Sequence, residues 1–180
     1  MTSLLNVTRL AALAVALATS NVGHANPENF TVHSIAGTNT FTLAAAKGKF
    51  VALHFLLKTE CPYCIRHTHD YVQKSAGDAR IVHLFLKPDT QAEIKAWAAK
   101  LGAGSLQVTI YRDPGAALAK AYNIPDGYKF HGQSVHFPAL VLLNGEGKEV
   151  FRYVGKSNAD RFSYEKFAAK FKELSEPPAR

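Results

Sequence analysis

The chain has 180 residues, 47% of them apolar and 19% charged, enough to bury the core of one domain and too apolar for a disordered chain. Its formal charge of +7 is scattered, with no basic run or interleaved aromatic motif, which argues against a nucleic-acid interface. Two cysteines are too few for a disulfide framework, so the fold must rest on packing.

Residues 1–25 differ in kind from the rest. Arg9 is their only charged side chain, Leu10 to Ala18 is an apolar run of nine, and the small residues Gly23 and Ala25 follow a polar stretch. This reads as a secretory signal cleaved after Ala25. The run is far short of the roughly 20 residues that span a bilayer. The expectation is a periplasmic or secreted protein with no membrane span in the mature chain, its domain at residues 26–175 and a frayed tail at 176–180.

Phe30 to Val32 and Thr40 to Leu43 read as short strands around A-G-T-N. Phe50 to Leu57 (F-V-A-L-H-F-L-L) has no polar alternation, the pattern of a central strand buried on both faces. From Pro62 the period becomes helical: Cys61, Cys64, Ile65, Thr68, Tyr71, Val72 and Ala76 share one stripe, and Pro62 suits a first turn. Ile81 to Leu86 is a second buried strand.

Thr90-Gln91-Ala92-Glu93 is a capping box, opening a helix marked by Ile94, Trp97, Ala98 and Leu101 and stopped by Gly102. Val108 to Tyr111 reads as a strand, Gly115 to Tyr122 as a short helix, and Asn123 to Phe137 as a loop. Ala139 to Leu143 and Glu149 to Val154 flank the turn Asn144-Gly145-Glu146-Gly147, a hairpin signal. A last helix is expected from about Asn158, with Phe167, Phe171 and Leu174 on one face. Strands alternating with helices predict an α/β fold, a mainly parallel sheet covered on both sides, to which the terminal hairpin adds antiparallel neighbours.

The only cysteines, Cys61 and Cys64, lie in T-E-C-P-Y-C-I-R-H, where a buried strand meets a helix start. Unpaired backbone N–H groups and the helix dipole favour a thiolate there, which makes Cys61 the candidate nucleophile. Cys64, deeper on the same face, can resolve a mixed disulfide. Two packed cysteines, or a structural disulfide, is the competing reading.

A buried strand, C-P-Y-C opening a helix, and a late strand begun by Phe137-Pro138 resemble the thioredoxin superfamily. The chain is most similar to its redoxin group, which includes thiol-specific antioxidant (AhpC/TSA) proteins and TlpA-like thioredoxins. Cys61 and Pro138 are 77 residues apart, room for the extra strand and helix (Val108 to Tyr122) that redoxins insert before the proline strand. The resemblance implies a thioredoxin-like fold with a central mixed sheet flanked by helices, and a cis peptide at Pro138. It also implies thiol–disulfide exchange with partner proteins, no bound organic cofactor, and docking at Pro62, Tyr63, Phe137 and Pro138. Reduction and oxidation of a client both fit. C-P-Y-C itself matches the glutaredoxin active site, over four residues only.

Two alternatives share the fold. Thiol peroxidases carry P-x-x-x-T-x-x-C, but counting back from Cys61 gives Lys58 and His54, and from Cys64 gives Cys61 and Leu57; Thr59 is merely close. Sco-type copper chaperones use two cysteines and a histidine, here Cys61, Cys64 and His136, soft ligands that suit Cu(I); their spacing is C-x-x-x-C. His67, with Arg66 and His69 nearby, reads either as partly exposed helix surface or as a group that tunes a thiolate. His54 and His83, inside apolar strands, read as hydrogen-bonded core residues. No H-E-x-x-H, phosphate loop or dinucleotide glycine motif occurs.

Overall fold

The run Phe50–Phe55 lacks a polar face because it is the middle strand of a five-stranded sheet. The computed structural model describes residues 27–58, 61–101, 108–130 and 133–176. The expected leader, Thr59, Glu60, Gly102 and the tail beyond Glu176 lie outside the described residues. The strands are Thr31–His33 (β1), Thr40–Thr42 (β2), Phe50–Phe55 (β3), Ile81–Lys87 (β4), Ile110–Arg112 (β5), Asp126–Phe130 (β6), Gln133–His136 (β7), Ala139–Leu143 (β8) and Glu149–Val154 (β9). The helices are Pro62–Lys74 (α1), Gln91–Ala98 (α2), Ala117–Ala121 (α3) and Tyr164–Ser175 (α4).

The central sheet runs β5-β4-β3-β8-β9. β3, β4 and β5 are parallel, while β8 pairs antiparallel with both β3 and β9, so the sheet is mixed. Side chains alternate across each strand and divide the core into two layers. Ala52, Leu56, Phe85 and Leu140 face Tyr71 of α1, Ile94 and Trp97 of α2, and Phe167 and Phe171 of α4. Val51, Leu53, Leu84 and Val141 face Leu118 of α3, Tyr122, Val32 of β1, which pairs antiparallel with β2, and Leu43 of the turn after β2. Each such large side chain contributes about 1.5–3 kcal/mol by leaving water.

The Thr90 capping box forms as the sequence predicts, with Thr90 and Glu93 exchanging side-chain and backbone bonds. The inserted β5 and α3 are held by Asp113, whose buried carboxylate accepts from the backbone N–H of Leu118 (2.7 Å) and Ala119 (3.0 Å).

Three expectations are corrected. Asn123 to Phe137 is not a loop: it holds the antiparallel hairpin β6–β7, separate from the main sheet. A short hairpin outside the core needs no apolar run, so the periodicity did not mark it. The last helix starts at Tyr164, after the N-cap Ser163, rather than near Asn158. Asp160 keeps the preceding segment non-helical, because its carboxylate accepts from the Lys156 N–H (2.8 Å) and the Tyr153 hydroxyl.

The third correction is the cis bond. Among the described residues no peptide is cis, so Phe137–Pro138 is trans. Trans is the ordinary preference of X–Pro bonds, and the local hydrogen bonds accommodate it. The Phe137 carbonyl accepts from His136 Nδ1 (2.7 Å) and the Phe137 N–H donates to the Pro125 carbonyl (2.9 Å).

Candidate active site

The end of β3 delivers the chain into α1 through buried Leu56 and Leu57. Cys61 is the N-cap of α1, in extended conformation, and Pro62 takes the first helical position, where its missing N–H costs nothing. The Cys61 sulfur accepts from the Cys64 N–H at 3.2 Å, the bond a Ser or Asp makes in ordinary caps. Both cysteines are free thiols. Cys61 retains 7% exposure and Cys64 none, so the first is the outer sulfur and the second the inner one.

Two cations bracket the pair. Arg161, in the loop between β9 and α4, places Nη2 3.4 Å from the Cys61 sulfur and 3.3 Å from the Cys64 sulfur. Its Nη1 donates to the Asp160 carbonyl (3.2 Å), which helps fix the fork. Lys87, fully buried at the end of β4, donates to the Leu57 carbonyl (2.6 Å), pairs with buried Asp89 (3.2 Å) and lies 4.5 Å from the Trp97 ring centre. The Cys61 thiol is lowered to about 6, first by the hydrogen bond from Cys64 and then, against the opposing effect of burial, by Arg161, the Cys64 N–H and Lys87. Burial pushes Cys64 well up, and its bond to the Cys61 sulfur adds to that. One thiolate and one thiol therefore share the site near neutral pH.

Of the expected docking residues, Pro62 and Tyr63 are exposed beside the sulfurs, while Pro138 is buried and Phe137 half-buried. Pro138 lines a narrow crevice together with Arg161, the residue that touches both sulfurs. Phe137 packs on Gly127, where an added Cβ would meet its ring. A second cleft, of about 130 Å³, is lined by Tyr63, Arg66, His67, Asp70 and Arg161.

His136 turns its ring to its neighbour's carbonyl and packs edge-on to Phe55. Among the described residues no group of three or more His, Cys, Asp or Glu is placed to hold a metal, so Cys61, Cys64 and His136 do not converge.

His67 is not helix surface but is buried. Its Nε2 lies 2.9 Å from His54 Nδ1, and His54 Nε2 lies 2.9 Å from His83 Nδ1. His54 is thus the hydrogen-bonded core residue its strand suggested, while His83 is hydrogen-bonded but only half-buried. Arg66 is exposed and His69 half-buried.

Sequence reasoning missed Arg161, Lys87 and Asp89. Lys87 carried a readable signal: a lysine closing the buried run I-V-H-L-F-L, at the strand end where open α/β sheets place their sites. Arg161 carried none, being distant in sequence and in a segment expected to be helical.

The Redoxin family model matches residues 21–168. A comparison with curated protein sequences finds no match. Among solved structures, the exposed lipoprotein thioredoxin of Streptococcus pneumoniae is 25% identical, with a TM-score of 0.61 over 81% of this chain and 99% of that one. A secreted disulfide oxidoreductase of Mycobacterium tuberculosis is similar in fold (TM-score 0.59, 18% identity, 81% and 96% covered). So is a peroxiredoxin-like protein of Aquifex aeolicus (0.67, 16%, 81% and 83%).

Proposed function

We propose, on the premise that the chain belongs to the Redoxin family, that it is an exported thiol–disulfide oxidoreductase acting on cysteines of partner proteins through Cys61 and Cys64. That it is a thioredoxin-fold thiol oxidoreductase or peroxidase follows from membership; the choice between the two rests on the site. The observation that carries it is the division of labour between two adjacent sulfurs, one lowered to about 6 and the other held protonated.

The Cys61 thiolate attacks a partner disulfide, forming a Cys61–partner bond and expelling the partner's other sulfur as a thiolate that takes a proton from water. Cys64 then gives up its proton and attacks Cys61, closing the intramolecular disulfide and releasing the second partner thiol. Two electrons pass to the partner, whose two released thiolates take their protons from solvent while the Cys64 proton leaves the protein, and the reverse sequence oxidises a dithiol. Arg161 stabilises negative charge on whichever sulfur carries it, and exposed Pro62 and Tyr63, with half-buried Phe137, form the rim a partner meets. Export is supported by the leader-like residues 1–25 and suits a protein whose clients form disulfides.

The peroxidase reading lacks the hydroxyl of its motif: Lys58 stands at the Thr position, and His54, at the Pro position, is engaged with two other histidines. The test is insulin reduction by the mature protein with dithiothreitol as donor. Wild type accelerates it, Cys61→Ser abolishes the acceleration, and Cys64→Ser accumulates a mixed disulfide. A protein that leaves insulin untouched but rapidly consumes hydrogen peroxide through Cys61 is a peroxidase, and the proposal fails.

A further inference from the structure

We propose that His67, His54 and His83 form a proton path that carries the Cys64 proton between the dithiol and a separate cleft by the C-terminal end of α1. This rests on the thiol–disulfide reading above. Cys64 is fully buried and must lose its proton before it can attack. Arg161, the side chain touching both sulfurs, is a permanent donor and cannot accept one. His67 lies one turn beyond Cys64 on the same buried face of α1, and its ring lines the clefts that Arg161 lines.

From there the chain is continuous. His67 Nε2 meets His54 Nδ1 and His54 Nε2 meets His83 Nδ1, both at 2.9 Å. The His83 ring lines a cleft of about 270 Å³ with Ser75, Asp78, Arg80 and Glu176, and its Nε2, buried just behind the cleft wall, makes no protein hydrogen bond among the described residues. His54, in the middle, is fully buried and stacked on Phe85. The groups packed around the path are Tyr71 of α1, Tyr164 and Phe167 of α4, Arg161 of the loop before α4, and Asp78 of the turn before β4. Apolar residues would pack this core without polar groups to satisfy, and an unbroken imidazole chain gives the three rings a use.

Three neutral imidazoles in series have two polarities. With Cys64 protonated, each ring carries hydrogen on Nε2: His67 donates to His54, His54 to His83, and His83 keeps its N–H on the unpartnered Nε2. As the Cys61–Cys64 bond forms and the Cys61–partner bond breaks, the electron pair leaves with the partner sulfur. The Cys64 proton passes to His67 Nδ1, directly or through water, each Nε2 proton moves one ring along, and one proton leaves His83 Nε2. All three rings then carry hydrogen on Nδ1. Reduction of the disulfide runs the transfer backwards and resets the chain without ring flips.

Stopped-flow reaction of the reduced protein with dithiobis(nitrobenzoate) separates the steps. The first thionitrobenzoate released reports attack by Cys61, and the second reports resolution by Cys64. Loss of the first release would refute the dithiol reading itself. His83→Gln, remote from both sulfurs, is expected to slow the second release relative to the first by about 10²-fold, the low end of a positioned base's contribution. An unchanged ratio in a folded variant overturns the path. Nitrogen-15 NMR of the wild-type rings needs no variant: His83 is expected to switch from the Nε2–H to the Nδ1–H tautomer on oxidation, and the same tautomer in both redox states overturns the proposal.

Discussion

Nη2 of Arg161 lies 3.4 Å from the Cys61 sulfur, although the two residues are 100 positions apart. Their meeting joins the two ends of the fold, the first helix start and the loop before the last helix. The Cys64 hydrogen bond is the largest influence on the Cys61 thiolate, and Arg161 is the largest charge. Arg161→Ala should therefore raise the Cys61 pKa from about 6 by about one unit. A pH titration of the ultraviolet thiolate absorbance measures this. An unchanged midpoint would mean that the contact has no electrostatic consequence.

Gly155 holds that loop in place. Its N–H donates to the Pro138 carbonyl (2.8 Å), and an added Cβ would overlap the Asp160 carbonyl and approach Pro138 Cγ to 2.9 Å. Gly155→Ala must move the segment that carries Arg161. It should raise the Cys61 pKa in the same direction as Arg161→Ala, and the double variant should shift little further. Full additivity of the two shifts would show that Gly155 does not act through Arg161.

Much of this was legible in the sequence, because β3, β8 and α1 announce themselves by pattern. Phe50–Phe55 and Ala139–Leu143 read as buried runs, and C-P-Y-C after a strand marks a helix-capping thiol. The Arg161 contact was not legible, since it depends on a loop whose irregularity comes from Asp160 bonding back to Lys156 and Tyr153. Nor was the histidine chain: His54 and His83 were readable as core residues, but His67 looked like helix surface until α1 was packed against β3 and β4. The trans Phe137–Pro138 bond departs from the resemblance alone, which had supplied the cis expectation.

The same histidines make the fold acid-sensitive. Burial lowers His67 to about 3 and His83 to about 4, and it also lowers His54 well below its ordinary value. Once unfolded, each imidazole binds a proton near 6.5, so below that pH the unfolded state carries more protons than the folded one. Stability is full above pH 6.5 and falls as the pH drops, through about 4 for His83 and about 3 for His67. Urea midpoints of the oxidised protein, which removes the thiolate contribution, should fall across this window, and His83→Phe should flatten the decline. Identical pH dependence in wild type and His83→Phe would contradict the account.

Lys87 and Asp89 are both buried and paired at 3.2 Å. Lys87→Met removes the cation paired with buried Asp89 and should cost about 3–5 kcal/mol, most of it recovered when Asp89→Leu is added. It also removes positive charge from the neighbourhood of both sulfurs, so Cys61 should titrate higher. Urea unfolding of the single and double variants measures the first effect. A single variant as stable as wild type would show that the pair contributes nothing to the fold.

The central claim is that Cys61 and Cys64 form one reversible two-electron couple. A thiolate lowered to about 6 stabilises the reduced form. That value lies between the thiolates of thioredoxin and of a strong periplasmic oxidant, so the reduction potential should lie between about −270 and about −120 mV. Equilibrating the mature protein in glutathione buffers of graded potential, with the free thiols trapped and counted by mass, measures it directly. The account predicts a single transition in that interval, with both thiols lost together. Two thiols that titrate separately, or no reversible transition at all, would contradict it.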